Sequence, residues 1–453
     1  MSEIPEKKPN VIFVFADQLR KQALGYTGDP NAITPHIDSL AQESVCFTNA
    51  ISGLPVCSPY RASMLTGQYP LTHRIIVNDV PLNPDMTSIA KVYKKAGYDT
   101  AYIGKWHLDG SGNRSGFIPK ERRQGFDFWK VLECTHKYMD SYYWDNDDVK
   151  KKWNGYDAIA QTKAAIDYIK GHDNSKPFLL FLSWGPPHSP YHIVPKRFQK
   201  KFKPRKIKLR PNVPRKAHRK AKRSLSGYYA HINALDECIG NILNAVRSRD
   251  IEKNTILIFT SDHGDLHYSQ NYRAKQKPWN ESVRVPFIIY FPKLFGNSMQ
   301  NVDVFFDAPD IMPTLLGLCG IKKPKSIQGI DFSKHLTGET KIERDSALIT
   351  CIAPFSEWYR ARGGREFRGI VNQRYTYAKD INGPWLLYDN QEDPYQLNNL
   401  VNKEEYSKIQ SELEHELLEK LRERKDDFLK AEEYLEKWGY QFDPRTAAIP
   451  YKD

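Results

Sequence analysis

Short uninterrupted apolar runs, each ending in a polar cluster, recur through the first two thirds of the chain. Residues 11–15 end at Asp17-Gln18, residues 178–182 lead to His188, and residues 256–260 end at Ser261-Asp262-His263-Gly264. Residues 286–290 form a fourth run. An apolar run of this length without alternation predicts a strand buried on both faces, as in parallel sheets. Helical periodicity falls between the runs, over residues 34–43, 87–96, 157–170 and 226–247. The last of these carries Leu235, Ile239, Ile242 and Val246 on one stripe. Strands alternating with helices predict a layered α/β domain.

Past residue 345 the pattern changes. Segments 347–351, 367–371, 375–379 and 385–388 are short and alternate, which predicts a small antiparallel sheet. A charged helix over 403–429 follows, with Leu413, Leu417, Leu418 and Leu421 as its apolar side. The expected organisation is therefore an α/β domain over 1–345 and a C-terminal α+β subdomain over 346–453.

Composition fits a globular protein. The chain has 453 residues, 40 % of them apolar, enough to bury a core. Its six cysteines, at 46, 57, 134, 238, 319 and 351, show no pairing rhythm. No apolar run reaches the roughly 18 residues of a membrane span. Residues 1–8 are polar, so the chain as written is expected in the cytoplasm, or in the periplasm or outside the cell if an export signal has been removed.

Charge adds one feature. The net charge is +13, and residues 196–223 alone hold fifteen Lys or Arg and no Asp or Glu. Two readings stand side by side: a solvated basic loop, or a contact for a polyanion such as a sulfated glycan or nucleic acid. No nucleic-acid module accompanies the segment, and nothing in the sequence fixes the oligomeric state.

In open α/β sheets, ligands bind beyond the carboxyl ends of the strands. Three predicted strands end there in Asp17-Gln18, Asp262-His263 and His188. One such Asp reads as a helix cap; two oxygen-rich ends with a histidine suit a hard cation. The segment Cys57-Ser58-Pro59-Tyr60-Arg61-Ala62-Ser63-Met64-Leu65-Thr66-Gly67 places a cysteine at the start of a helix. By itself that is either an activated thiolate or a small buried cap residue.

The pattern Cys-x-Pro-x-Arg followed by Leu-Thr-Gly resembles the signature of type I sulfatases. Further segments follow in the family's order. They are residues 9–17, Gly104-Lys105-Trp106-His107, Pro187-His188-Ser189-Pro190, Thr260-Ser261-Asp262-His263-Gly264, Lys275 ahead of residues 281–286, and the turn at 388–400. Three departures stand out: Gln18 where a second Asp is usual, His263 where Asn is common, and a bulky Tyr60 inside the signature. Lys277 lies two residues from Lys275, and register alone separates them.

The resemblance implies an alkaline-phosphatase-like mixed sheet sandwiched by helices. It implies a sulfuric ester hydrolase whose nucleophile is Cα-formylglycine, made from Cys57 by a formylglycine-generating enzyme. It implies one divalent cation per chain, calcium or alternatively magnesium, held by Asp17, Gln18, Asp262, His263 and the converted Cys57. In that scheme Arg61 and Lys105 fix the hydrated aldehyde, Lys275 binds sulfate, His188 protonates the leaving alcohol, and His107 is the base that expels sulfate. A sulfated carbohydrate is the expected substrate, with Trp358, Tyr359, Arg360, Arg362 and Arg365 either lining a sugar subsite or packing ordinarily. A phosphonate monoester or phosphodiester hydrolase of the same superfamily is the alternative, and a non-catalytic sulfoglycan-binding protein is a third reading.

Overall fold

The computed structural model describes residues 8–110 and 112–452. A sheet of eight strands forms the centre, built from β1 (Asn10–Asp17), β2 (Val45–Ile51), β3 (Asp99–Lys105), β4 (Phe128–Leu132), β7 (Phe178–Pro187), β8 (Thr255–Ser261), β9 (Phe287–Tyr290) and β10 (Gln300–Asp307). Two two-residue strands, β5 (Tyr142–Tyr143) and β6 (Lys151–Lys152), pair in a separate ribbon. The order in the large sheet is β10-β2-β9-β8-β1-β7-β3-β4. Strand β9 alone runs antiparallel to its neighbours, β2 and β8.

The apolar runs are buried on both faces, as expected. Val11, Phe13 and Phe15 of β1 join one core cluster, while Ile12, Val14 and Ala16 join the other. Helices α1 (Pro35–Gln42), α3 (Asp157–Gly171) and α4 (His218–Ser248) cover the second face. Helices α2 (Cys57–Thr66) and α5 (Ala308–Leu318) cover the first.

A second sheet, β11 (Ser346–Cys351), β12 (Phe367–Asn372), β13 (Tyr375–Asp380) and β14 (Gly383–Asp389), is antiparallel throughout. Its alternation is literal. Ala347, Ile349 and Cys351 face Phe305, Ile51 and Trp279 of the large unit, while Leu348 faces away. Helix α6 (Ser407–Glu423) covers that outer face with Leu413, Leu417 and Leu421. Leu418 departs from expectation: it is 44 % exposed, because it lies about 100° round the helix from Leu417 and off the buried i, i+4, i+8 line. The chain then returns, and Ala431, Tyr434 and Leu435 pack into the first core cluster. All six cysteines are free and buried. Among the described residues, no helix is long and apolar enough to cross a membrane.

Candidate active site

Because β1, β3, β7 and β8 run parallel, their carboxyl ends meet at one edge. Asp17 and Gln18 leave β1, Lys105 ends β3, His188 follows β7, and Asp262 and His263 follow β8. The two acidic loops are tied together: the Gln18 amide donates to Asp262 Oδ1 at 2.9 Å, and the Leu19 amide donates to Ser261 Oγ at 2.8 Å. Gly104 has φ +104, and a Cβ there would lie 2.0 Å from the Ser183 carbonyl oxygen. Only glycine lets β3 approach β7 so closely just before Lys105.

Helix α2 delivers the cysteine. Cys57 is its first residue, and Arg61 lies one turn later on the same face, which is what the Cys-x-Pro-x-Arg spacing encodes. Gly67 closes the helix at φ +65, its amide bonded to the Ser63 carbonyl at 2.8 Å. Tyr60 points into the apolar core.

Around Cys57 Sγ lie Lys275 Nζ at 3.0 Å, His263 Nε2 at 3.3 Å, Asp17 Oδ1 at 3.5 Å and Lys105 Nζ at 3.9 Å. Arg61 Nη2 reaches Asp17 Oδ2 at 3.3 Å and Asp262 Oδ2 at 3.2 Å, and Nη1 donates to Ser183 Oγ and to the Lys105 carbonyl, each at 2.8 Å. Lys105 Nζ donates to Asp17 Oδ2 at 2.5 Å. Ligand atoms of Asp17, Cys57, Asp262 and His263 lie within 4.8 Å of one another, all buried. Gln18 stands at φ +71 beside them. Its Nε2 is held by Asp265 Oδ2 at 2.6 Å, and its Oε1 is buried without a hydrogen-bond partner.

Charge sets the protonation states. Burial pushes the Asp17 carboxyl up, but Lys105, His188, Lys275 and Arg61 outweigh it and hold it well below the usual range. Burial and Asp17 likewise push the Cys57 thiol up, yet Lys105 and Lys275 bring it below an ordinary thiol. Burial, and then Lys275, hold the His188 imidazole well below its ordinary value. Burial lowers His107 too, but Cys134 and Asp79 beside it raise it to about 9.

The structure brings Cys57, Arg61, Lys105, His107, His188, Lys275, Asp17, Gln18, Asp262 and His263 to this edge. It also separates the two lysines. Lys275 faces Cys57, while Lys277 turns back to the Lys275 and Arg273 carbonyls at 2.7 and 3.2 Å. Of the C-terminal aromatic and basic residues, Trp358 and Arg362 line the cavity. Arg360 instead pairs with Glu366 and Glu432, and Arg365 pairs with Asp380.

Sequence reasoning missed four contributors. Asp265 orients Gln18 and takes Tyr191 OH; its position two residues past His263 was the available signal. Asp79 lies 3.4 Å from His107 Nε2 and is clamped by Arg114, with no motif to announce it. His136 stacks on His188 with ring centroids 4.7 Å apart, and it lies just past the end of β4, where the strand-end rule would have found it. Tyr191 donates to Asp265 from the loop after β7.

A nucleophile position enclosed by buried positive charge, at the edge of an alkaline-phosphatase-like sheet, defines a hydrolase of anionic esters. The comparisons narrow that class. The sulfatase family model matches residues 9–321, and that of the C-terminal region of N-sulphoglucosamine sulphohydrolase matches residues 270–424. An ulvan-active sulfatase of Formosa agariphila is 43 % identical over 448 residues, covering 98 % of this chain and 87 % of the relative. A structure from work on the metabolism of multiple glycosaminoglycans by Bacteroides thetaiotaomicron superposes with a TM-score of 0.85 at 31 % identity, covering 98 % of this chain and 100 % of that one. The phosphonate monoester hydrolase of Agrobacterium radiobacter, at 22 % identity and a TM-score of 0.76 over 92 % of this chain and 96 % of that one, shares the fold alone. The chain belongs to the sulfatase family. It is a sulfuric ester hydrolase, and the family implies a formylglycine and a divalent metal ion.

Proposed function

We propose that this enzyme removes sulfate from a sulfated glycan, with formylglycine derived from Cys57 as nucleophile and calcium as the metal. The observation that carries the reading is Lys275 Nζ, placed between Cys57 Sγ at 3.0 Å and His188 Nε2 at 3.2 Å in the wall of a cavity of about 1200 Å³. That volume exceeds the roughly 300–1,000 Å³ of ordinary small-molecule sites, which favours a saccharide over a small aryl ester.

The donor set fits a hard cation. Asp17, Asp262 and the orphaned Gln18 Oε1 offer oxygen, His263 offers one nitrogen, and Cys57 Sγ marks where an oxygen of the converted side chain would stand. Such a cation would polarise a sulfate oxygen and lower the pKa of a hydroxyl beside it. A formylglycine hydrate at position 57 would supply the hydroxyl that attacks sulfur.

The remaining work falls to this chain's own side chains. Arg61 fixes both carboxylates, so the ligand geometry is set before anything binds. Lys275 offers its charge to the sulfate. His188 Nδ1 donates to the Ser189 carbonyl at 2.9 Å, so Nε2 is the atom that faces the cavity and protonates the departing oxygen. An anionic sulfate beside Lys275 and His188 raises the imidazole from its depressed value, which loads the acid only when substrate is present. His107, held by Asp79, is the second acid–base group. Asp79 favours its charged form, and added positive charge nearby lowers it toward a base.

Mass spectrometry of the Cys57 peptide from a host with the maturing enzyme tests the reading, together with sulfate release from defined sulfated saccharides. Formylglycine is expected at 57, and Cys57→Ala is expected to lose turnover. Full activity in Cys57→Ala would sink the mechanism.

A further inference from the structure

The basic segment divides in two. In its first part, residues 196–210, no cation lines the active-site cavity, and three are tied elsewhere in the fold: Arg197 pairs with Glu237 at 2.7 and 2.6 Å, Lys201 donates to Asn233 at 2.8 Å, and Arg210 pairs with buried Glu281 at 2.8 Å. Its second part has no such partners. Lys216, Lys220 and Arg223 line the active-site cavity and form no ion pair among the described residues. Their spacing of four and three puts them on one face of the turn Arg215–Ala217 and of α4, into which it runs.

This face is held rigidly. Ala217 and Ala221 are buried with Val213 against Tyr268 and Leu209, and Ser224 Oγ lies 2.9 Å from His267 Nδ1. Arg273 and Arg362 line the same cavity, also without ion pairs among the described residues, and Glu357 is the exposed carboxylate there. The arrangement is unfavourable in an empty protein. The first turn of α4 has no acidic residue, Lys216 and Lys220 at its start oppose the helix dipole, and each of the three cations faces like-charged neighbours. The scissile sulfate does not account for these charges, because Lys275 and Lys105 already lie against Cys57.

We infer that the enzyme selects saccharides bearing a second anionic group, a carboxylate or a further sulfate, on the sugar next to the one that loses its sulfate, and that Lys216, Lys220 and Arg223 bind that group. The inference rests on the sulfated-glycan reading and deepens it. Charge-assisted contacts from ammonium and guanidinium groups suit either oxyanion. The first half of the segment takes no part.

Three matched disaccharides test this: one sulfated sugar joined to a neutral hexose, to a uronate, or to a second sulfated sugar. Calorimetric binding to Cys57→Ser protein, which cannot turn over, is expected to favour one or both charged disaccharides over the neutral one by about tenfold or more. Which of them is preferred identifies the second anion. The gap is expected to shrink as salt shortens the Debye length from about 10 Å at 0.1 M. Lys216→Ala/Lys220→Ala/Arg223→Ala should erase the gap, and Lys200→Ala/Lys203→Ala/Lys206→Ala should keep it. The triple cavity variant should melt at or above the parent temperature. If it melts lower, Lys220→Gln replaces it, with a smaller but measurable narrowing. Equal binding of all three disaccharides, or a gap that survives in the cavity variant, overturns the inference. Matured enzyme that cleaves 4-nitrophenyl sulfate but releases no sulfate from any saccharide overturns the glycan reading instead.

Discussion

Within hydrogen-bonding reach of Lys275 lie both the position of the nucleophile and the imidazole assigned to the leaving group, so removing either neighbour has distinct consequences. His188→Ala removes a proton donor and leaves Lys275, Lys105 and Arg61 in place. An alkoxide leaving group needs that proton and an activated phenolate does not. The variant is therefore expected to lose about 10²–10⁴-fold in kcat/KM on alkyl or sugar sulfates and far less on 4-nitrophenyl sulfate. Steady-state kinetics on the two substrate types decides it; equal losses on both would leave His188 only a positional role. At this scale the sequence was informative wherever chemistry follows local spacing. Cys57 and Arg61 share a face because they are four apart, and Asp17 and Asp262 end strands whose apolar runs are unmistakable. Lys275 and Lys277 could not be separated by sequence, because both are buried and the distinction lies in which way an irregular loop turns. Asp79 was invisible for a related reason: it acts through a contact made across the fold with His107, whereas His136, which stacks on His188, stood just past a strand end where it could have been read.

Elements were legible in proportion to how uniformly they are buried. Strands β1, β7 and β8 lie at the centre of the sheet and read as unbroken apolar runs. Strand β2 is interrupted by Thr48 and Asn49, and edge strand β10 by Gln300, Asn301 and Asp303, with Asn49 Nδ2 donating to Asp303 Oδ1 at 2.6 Å. Polar pairing of that type breaks the pattern without breaking the strand. The antiparallel sense of β9 leaves no mark on a run buried on both faces. Helix α4 begins at His218, eight residues before its apolar stripe predicts, because its first two turns present cations to the cavity and bury only Ala221 and Leu225. In α6 the expectation failed at one position, which makes a direct comparison possible. Leu417→Ala deletes a fully buried side chain packed against the second sheet and should cost about 2–5 kcal/mol. Leu418→Ala, one residue along and exposed, should stay within about 0.5 kcal/mol. Denaturant unfolding monitored on both variants checks this, and equal destabilisation would mean that α6 packs in another register.

The whole molecule segregates its charge. Fifteen cations in residues 196–223 exceed the chain's net charge of +13, so the remainder is close to neutral. Deep in the large unit, Arg61, Lys105 and Lys275 meet two buried carboxylates, Asp17 and Asp262. Those carboxylates come from loops that leave β1 and β8, adjacent parallel strands whose ends are joined at the ligand cluster. A cation bound there links the two loops in the folded state and finds no such arrangement in the unfolded chain. Its binding free energy therefore adds to stability, by about 2.7 kcal/mol when the free ion stands at 100 times its dissociation constant. Exhaustive chelation is accordingly expected to end sulfate release and to lower the melting temperature, and added calcium should restore both. Magnesium should restore less at equal concentration, since it demands near-ideal octahedral geometry that a preformed cluster containing an imidazole and a bulky nucleophile side chain does not offer. Asp262→Asn separates the metal's effect from any other action of the chelator: its melting temperature should no longer respond to calcium, because one of the two carboxylate ligands has lost its charge. Calorimetric melting of parent and variant, each with chelator, calcium or magnesium, reads all of these together. A parent protein whose melting temperature and turnover both survive exhaustive chelation would show that the cluster holds no exchangeable ion.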